Sequence, residues 1–277
     1  MRFIKYLPLR PMDLQDYFNI NQKLWDKRTG VHVKSDFYKT DAVIAGESSL
    51  TEIENFYLPD VSGKSLLHLQ CHFGLDTISL ARKGAKCTGL DFSSEAIQLA
   101  RQLSEKAKVD VQFVEANVYD LPKLNLGLFD MVFISYGTIG WLPDLDRWAS
   151  GISNSLKSGG QFYFAEFHPC LYMFEFNTGQ LDYSYFNTGE AIEEWCESSY
   201  TGTDDKVSMP SWFWQHSIEE TVNALIKHGL QIESFHEVPW SPYNCFPNMK
   251  EIQSGRYYYG PEKARIPHVL VINARKI

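Results

Sequence analysis

Between about residue 64 and residue 167, short apolar runs alternate with amphipathic stretches, the pattern of repeated β-α-β units. Ser65-Leu66-Leu67-His68-Leu69 reads as a first buried strand, followed by a turn from Gln70 to Gly74 and a helix carrying Ile78, Leu80 and Ala81 that Gly84 stops. A second strand, Lys86 to Leu90, ends at Asp91. Ser93 then caps a helix whose Ala96, Ile97, Ala100, Leu103 and Ala107 recur at helical spacing, with Glu95 in the first turn where the macrodipole favours an acid. Val109, Val111 and Phe113 alternate as a third strand. Phe129 to Ile134 is nearly continuous apolar sequence, as expected of a fourth strand covered on both faces. Leu145, Trp148, Ala149, Ile152 and Leu156 form a helical stripe ended by Ser158-Gly159-Gly160, and Phe162 to Phe167 is the fifth strand.

From Pro169 to about Gln215 the alternation gives way to aromatic-rich sequence with turn signals at Asn177-Thr178-Gly179 and Asn187-Thr188-Gly189, which predicts irregular hairpins. The core resumes at Ser217-Ile218-Glu219-Glu220, a capping-box form ahead of Val222, Leu225 and Ile226. Gly229 ends that helix, and strands follow at Leu230 to Phe235 and Val269 to Ala274. Near the amino terminus, Leu14, Tyr17, Phe18, Leu24 and Trp25 mark one helix, and Leu50, Ile53 and Tyr57 another. The organisation expected is one domain, with a core over about 60–168 and 216–277 and cap elements over about 10–58 and 169–215.

Composition narrows the function classes. A formal charge of −8 and a pI near 5.5 argue against a polyanion as the main partner, since phosphate binding needs clustered Lys and Arg. The five cysteines form no C-x-x-C pair and are odd in number, which suggests neither a zinc site nor a disulfide framework and fits a reducing cytoplasm. Met1 to Pro8 lacks the apolar stretch of a signal peptide, and no later run approaches the ~18 apolar residues of a membrane span. A soluble cytoplasmic protein with no bound metal, no membrane partner and no nucleic-acid partner is expected, as a monomer or homodimer.

Ligands of doubly wound sheets bind beyond the carboxyl ends of the strands, and four such positions here carry suitable groups. Gln70-Cys71-His72-Phe73-Gly74 is a tight turn whose backbone amides can face a ligand, with Gly74 permitting close approach. Asp91 lies 21 positions beyond Gln70, near the offset at which an acid meets a ribose hydroxyl pair. After the third strand, Asn117 and the backbone of Ala116 and Val118 can read an adenine edge while Phe92 lies against its face. Ser135 and Tyr136 follow the fourth strand.

Taken together, Leu67 to Gly74, Gly89 to Ser93, Glu115 to Pro122, Phe129 to Leu145 and Leu156 to Pro169 resemble the class I S-adenosylmethionine-dependent methyltransferases, in a form whose first motif reads LHLQCHFG rather than LDLGCGTG. The resemblance implies a Rossmann-like, seven-stranded α/β fold with a mostly parallel sheet, helices on both faces, an amino-terminal helical cap and an inserted cap after strand five. It also implies that S-adenosylmethionine is the cofactor. Its methionine end would lie against Gln70, Cys71, His72, Gly74 and Ser135, its ribose against Asp91 beside Ser93, and its adenine against Phe92, Asn117 and Val118. His68 stands where the family usually has an acid, and Gln70 and His72 replace two glycines.

The reaction so implied is methyl transfer to a small-molecule acceptor. A sulfonium methyl is already activated, so the protein must align an acceptor behind it and exclude water. Where the acceptor carries a removable proton, His168 is the first candidate base, followed by Glu166, His32 and His216. Trp25, Tyr136, Trp141 and Trp212 are candidates for walls around the sulfonium or acceptor, with His168 beside them. Each also has an ordinary reading as core. Two alternatives compete: a non-catalytic sensor or scaffold for the cofactor or its demethylated product, and an NAD-dependent oxidoreductase, whose G-x-G-x-x-G the turn at Gln70 lacks. Pro169-Cys170 matches the nucleophile dipeptide of cytosine carbon-5 methyltransferases by two residues only. The Asn-Pro-Pro-Tyr of base amino-methylating enzymes is absent after strand four.

Overall fold

A computed structural model of the chain describes residues 12–196, 199–202, 207–260 and 266–277; the amino-terminal octapeptide read above for a leader lies outside the described residues. Three helices come first: α1 (Leu14–His32), α2 (Thr40–Ala45) and α3 (Glu52–Tyr57). The last begins in a reciprocal capping box, in which Thr51 Oγ1 accepts from the Ile53 amide and Glu54 Oε2 accepts from the Thr51 amide at 2.8 Å. The alternating core follows as β1 (Ser65–Leu69), α4 (Leu75–Arg82), β2 (Lys86–Asp91), α5 (Ser94–Ala107), β3 (Gln112–Glu115), β4 (Phe129–Ser135), α6 (Leu145–Ser155) and β5 (Leu156–Phe167). Two hairpins, β6 (Phe174–Glu175) with β7 (Gln180–Leu181) and β8 (Ile192–Cys196) with β9 (Met209–Phe213), precede α7 (Ile218–Lys227) and β10 (Leu230–Val238). A further hairpin, β11 (Lys250–Gln253) with β12 (Arg256–Tyr258), stands before the final strand β13 (Val269–Lys276).

Seven strands form one sheet in the order β10-β13-β5-β4-β1-β2-β3. Its pairs are parallel from β5 to β3, and β13 runs antiparallel to both β5 and β10. The order reverses between β1 and β4, so the crevice beyond their carboxyl ends is the natural ligand position. Successive residues of each central strand serve opposite faces. Leu67, Val132 and Phe164 pack with Trp148 of α6 and Leu225 of α7, while Leu66, Met131 and Tyr163 pack with Ile53 of α3 and Leu80 of α4. Both faces are therefore covered, which is why Phe129 to Ile134 is apolar without a break. Each such buried side chain contributes about 1.5–3 kcal/mol of transfer free energy.

The seven-stranded, mostly parallel sheet matches the expected fold class, and the boundaries differ in three places. The third strand begins at Gln112 because the Val109 amide still bonds Ser104 O and Lys108 takes a left-handed turn, so Val109 belongs to the tail of α5. Ser158-Gly159-Gly160 falls within β5, at an irregularity in its ladder with β4 that resumes at Gln161, so it does not separate helix from strand. The short helix α2 and the β11–β12 hairpin carry no periodic signal in the sequence and join the covering elements. Among the covers, α1 is joined to β9 through Asn21, whose Nδ2 donates to Trp212 O at 2.7 Å and whose Oδ1 accepts from the Trp212 amide at 2.9 Å.

Candidate active site

The turn after β1 is built from two strained residues and one glycine. Gln70 and His72 hold φ of +54° and +51°, a left-handed conformation that costs a side-chain-bearing residue about 1–3 kcal/mol. That geometry explains why glycines are usual at both positions. Gly74, at φ +77°, packs so close to the Phe113 ring that a Cβ there would fall 2.6 Å from it. A Cβ on Gly89 of β2 would meet the same ring at 2.7 Å and Cys71 Sγ at 2.9 Å, so this glycine lets the turn nest against the neighbouring strand.

The turn is tied to the end of β2 through Asp91. Its Oδ2 accepts from the His72 amide at 2.8 Å and its Oδ1 from the Ser93 amide at 2.9 Å. Burial nevertheless pushes the Asp91 carboxyl up to about 6, outweighing these amides. Asn117 Oδ1 caps the helical turn that follows by accepting from the Tyr119 amide at 3.0 Å, which leaves its amide NH2 group as the side chain's donor. Ser135 donates to Asp76 Oδ2 at 3.3 Å. Gln70 Nε2 donates to Thr138 O at 2.9 Å, whereas its buried Oε1 has no partner among the described residues.

One cavity of about 700 Å³ gathers these groups, within the range of sites that take small molecules. Of the residues expected from sequence to hold a cofactor, Gln70, Cys71, His72, Gly74, Asp91, Phe92, Asn117, Val118 and Ser135 all border it. Ser93 does not; its hydroxyl donates to Asp26 Oδ1 at 2.6 Å and accepts from the Ala96 amide, so it caps α5. Trp25, Tyr136 and Trp141 also line the cavity, Trp25 and Trp141 meeting edge to face at 5.4 Å. Trp212 instead packs under Tyr17 of α1 at 5.0 Å.

The structure moves the candidate bases away from the wall. His168 is buried beside Glu237, 2.9 Å from Nε2, and accepts the Cys170 amide on Nδ1. Desolvation holds its pKa below the usual value although Glu237 opposes this. Glu166 is enclosed by the turn after β4, accepting from the amides of Gly137, Thr138, Ile139 and Phe167 and from the Thr138 hydroxyl. With so many donors it is a turn-builder. His216 Nε2 donates to Leu142 O at 2.7 Å, since a carbonyl oxygen can only accept. His32 lies behind the wall, sharing a 3.0 Å hydrogen bond with His72 Nε2 and reaching Ser199 Oγ at 2.8 Å on its other nitrogen. Burial, helped by Arg28, lowers His32 to about 3, and burial keeps His72 well below its ordinary value, so both rings are neutral at pH 7.

The group that sequence reasoning missed is Asp76. It borders the cavity from the first turn of α4, accepting from Ser49 Oγ at 2.6 Å as well as from Ser135. Burial raises it to about 6, with the Glu54 charge adding and the Ser49 hydrogen bond opposing. An acid in a first turn ordinarily reads as a macrodipole partner. Its place two residues after Gly74, at the carboxyl end of the sheet, was the available signal. Tyr38, Tyr200 and Tyr243 were also missed, because they come from segments with no periodicity.

Comparison with known proteins settles what the core is. The family model described as "Methyltransferase domain" matches residues 67–164. Residues 67–164 thus carry a methyltransferase domain. The methyltransferase domain is also similar to a ubiquinone biosynthesis O-methyltransferase of Pectobacterium carotovorum subsp. carotovorum (strain PC1), 31% identical over 103 residues, which cover 37% of this chain and 43% of that protein. The match thus spans less than half of the relative. Among solved structures, an S-adenosylmethionine-dependent methyltransferase from Mesorhizobium loti aligns with 84% of this chain and 100% of its own at TM-score 0.53 and 20% identity. A geranyl diphosphate C-methyltransferase from Streptomyces coelicolor A3(2), solved with S-adenosyl-L-homocysteine, aligns with 82% of this chain and 74% of its own at TM-score 0.53 and 14% identity. These two likenesses establish the fold. Among the described residues no helix is long and apolar enough to cross a membrane, no cluster of His, Cys, Asp and Glu has the form of a metal site, and Cys71, Cys87, Cys170 and Cys245 are free thiols.

Proposed function

We propose that the protein transfers a methyl group from S-adenosylmethionine to a small-molecule acceptor. The observation that carries this reading is the convergence of the ends of β1, β2, β3 and β4 on one cavity, with an acid, an amide and an unpartnered buried acceptor at successive strand ends. The groups suit an adenosine bearing an amino-acid tail. Gln70 Oε1 would accept from the ammonium. The Asp91 oxygens, each already taking one backbone amide, retain lone pairs for the ribose hydroxyls, and Phe92, Val118 and the Asn117 NH2 group would bound the adenine.

When bound, the cofactor supplies an electrophilic methyl on a positively charged sulfur. The chain's own part is positional. Trp25 and Trp141 line the cavity with the Arg28 guanidinium over both rings, at 5.1 and 5.9 Å, and the neutral His72 and His32 pair adds no further positive charge. Glu166 fixes the turn that carries Tyr136, Gly137 and Thr138 at the junction of the cofactor and acceptor halves. Asp76, the ionisable carboxylate of that junction, takes the role first considered for His168, Glu166 and His32.

The discriminating experiment is a thermal-shift comparison of S-adenosylmethionine, S-adenosylhomocysteine and NAD. A ligand present at 100 times its dissociation constant stabilises the native state by about 2.7 kcal/mol. Stabilisation by the first two is expected; stabilisation by NAD alone would overturn the reading. Label transfer from radiolabelled S-adenosylmethionine to pooled metabolites then separates an enzyme from a cofactor sensor.

A further inference from the structure

The half of the cavity beyond Gln70 and Asp91 is walled by tyrosines in mutual contact. The Tyr38 and Tyr200 hydroxyls are hydrogen-bonded to each other, and Tyr243 meets Tyr136 edge to face at 5.1 Å. Phe37 bridges the two pairs, lying 5.5 Å from both Tyr200 and Tyr243. These five rings all line the cavity, and aromatic rings carry electron-rich faces.

The charges around that space are biased. Among the described residues of the wall, Asp36, Glu47, Asp76, Asp91 and Glu194 stand against Arg28 and Lys39, five carboxylates to two cations. Arg28 is stacked over Trp25 at 5.1 Å and its charge also reaches Tyr200 and Glu194, so it offsets part of that acidic excess. A bound cofactor, with a sulfonium, an ammonium and a carboxylate, would add a single positive charge and leave the wall with an acidic excess. Asp76 faces the tyrosine shell, held by Ser49 and Ser135, with Glu54 behind Tyr136 at 2.8 Å from its hydroxyl. Beyond burial, the largest cause, these carboxylates contribute to raising the tyrosines: Glu54 at Tyr136, and Asp76 together with Glu54 at Tyr243. A phenolate or carboxylate guest would meet the same repulsion. An ammonium would be attracted.

We infer that the acceptor is a small organic cation, an amine protonated in solution, held by the tyrosine shell with its nitrogen against Asp76. This rests on the methyltransferase reading above. The ammonium gives one proton to the Asp76 carboxylate, which passes it to water. The freed lone pair then forms the C–N bond as the methyl–sulfur bond breaks, leaving a neutral thioether and a methylated ammonium. One proton is released per turnover.

The test uses three probes of one shape and different charge, phenethylamine, 2-phenylethanol and phenylacetate, titrated calorimetrically into the full chain saturated with S-adenosylhomocysteine. Phenethylamine is expected to bind about tenfold or more tighter than the alcohol, and phenylacetate weakest. Asp76→Asn should remove most of that preference. Tyr243→Leu should weaken phenethylamine severalfold where Tyr243→Phe does not, and S-adenosylhomocysteine binding to the Tyr243 variants should stay unchanged. Equal affinities, a preference for the anion, or no binding by any probe overturns the inference. The isotherm of S-adenosylhomocysteine itself reports separately on the methyltransferase reading, since its failure to bind would sink that and not merely the choice of acceptor.

Discussion

The two halves of the cavity are made in different ways. The half proposed for the cofactor is assembled from the ends of adjacent parallel strands, so its groups are placed by a backbone ladder: Asp91 sits where β2 ends and is pinned by two amides. The acceptor half is assembled from α1, α2, the hairpin loops and the stretch around Tyr243, brought together by rings and single hydrogen bonds. A half built on a sheet can keep one ligand while a half built from loops changes another. That division follows from which elements carry register and which do not.

If the cofactor half is the pinned one, its largest sensitivity is the removal of a strand-end charge. Asp91→Ala should weaken S-adenosylhomocysteine binding about tenfold to a hundredfold by calorimetry, the loss of a charged hydrogen-bond acceptor worth about 1.5–3 kcal/mol. Unchanged binding would show that the pinning is structural only. Gly89→Val tests whether the turn depends on close backbone nesting. With Phe113 and Cys71 already at 2.7 and 2.9 Å from the position of a Cβ, chemical denaturation should show about 1–3 kcal/mol of destabilisation.

The smallest effect belongs to the acceptor half. Asp76 is raised from 3.8 to about 6 by burial, with Glu54, Ser49 and Ser135 facing it, so the native state binds its proton more tightly than the unfolded chain. Its contribution to stability is present below about pH 4 and is lost as pH rises through about 6. Asp76→Asn should therefore raise the melting temperature above pH 6, and the gain should shrink as pH falls and vanish near pH 4. A gain independent of pH would mean that the carboxylate is not the strained group.

The same contrast decides what was legible in the sequence. Strand alternation and the offset from Gln70 to Asp91 predict residues that border one cavity, because period and spacing are properties of the ladder. Ser93 is read from sequence both as a helix cap and as a neighbour of the ribose, and the geometry keeps the cap alone, its hydroxyl spent on Asp26 and Ala96. Glu166 stands near the end of β5 and His168 just beyond it, much as Asp91 ends β2, yet their side chains turn to the turn after β4 and to Glu237. Tyr38, Tyr200 and Tyr243 were invisible because their meeting depends on tertiary packing of aperiodic segments.

Asn21 offers its amide to both the N–H and the C=O of Trp212, as a neighbouring strand would. Two segments separated by most of the chain thereby behave as a single leaf over the crevice. Tyr17 adds ring contacts to Trp212 and Trp214 at 5.0 and 5.6 Å, so the fastening of this cover is shared between one hydrogen-bonding side chain and one aromatic, both remote from any reacting atom.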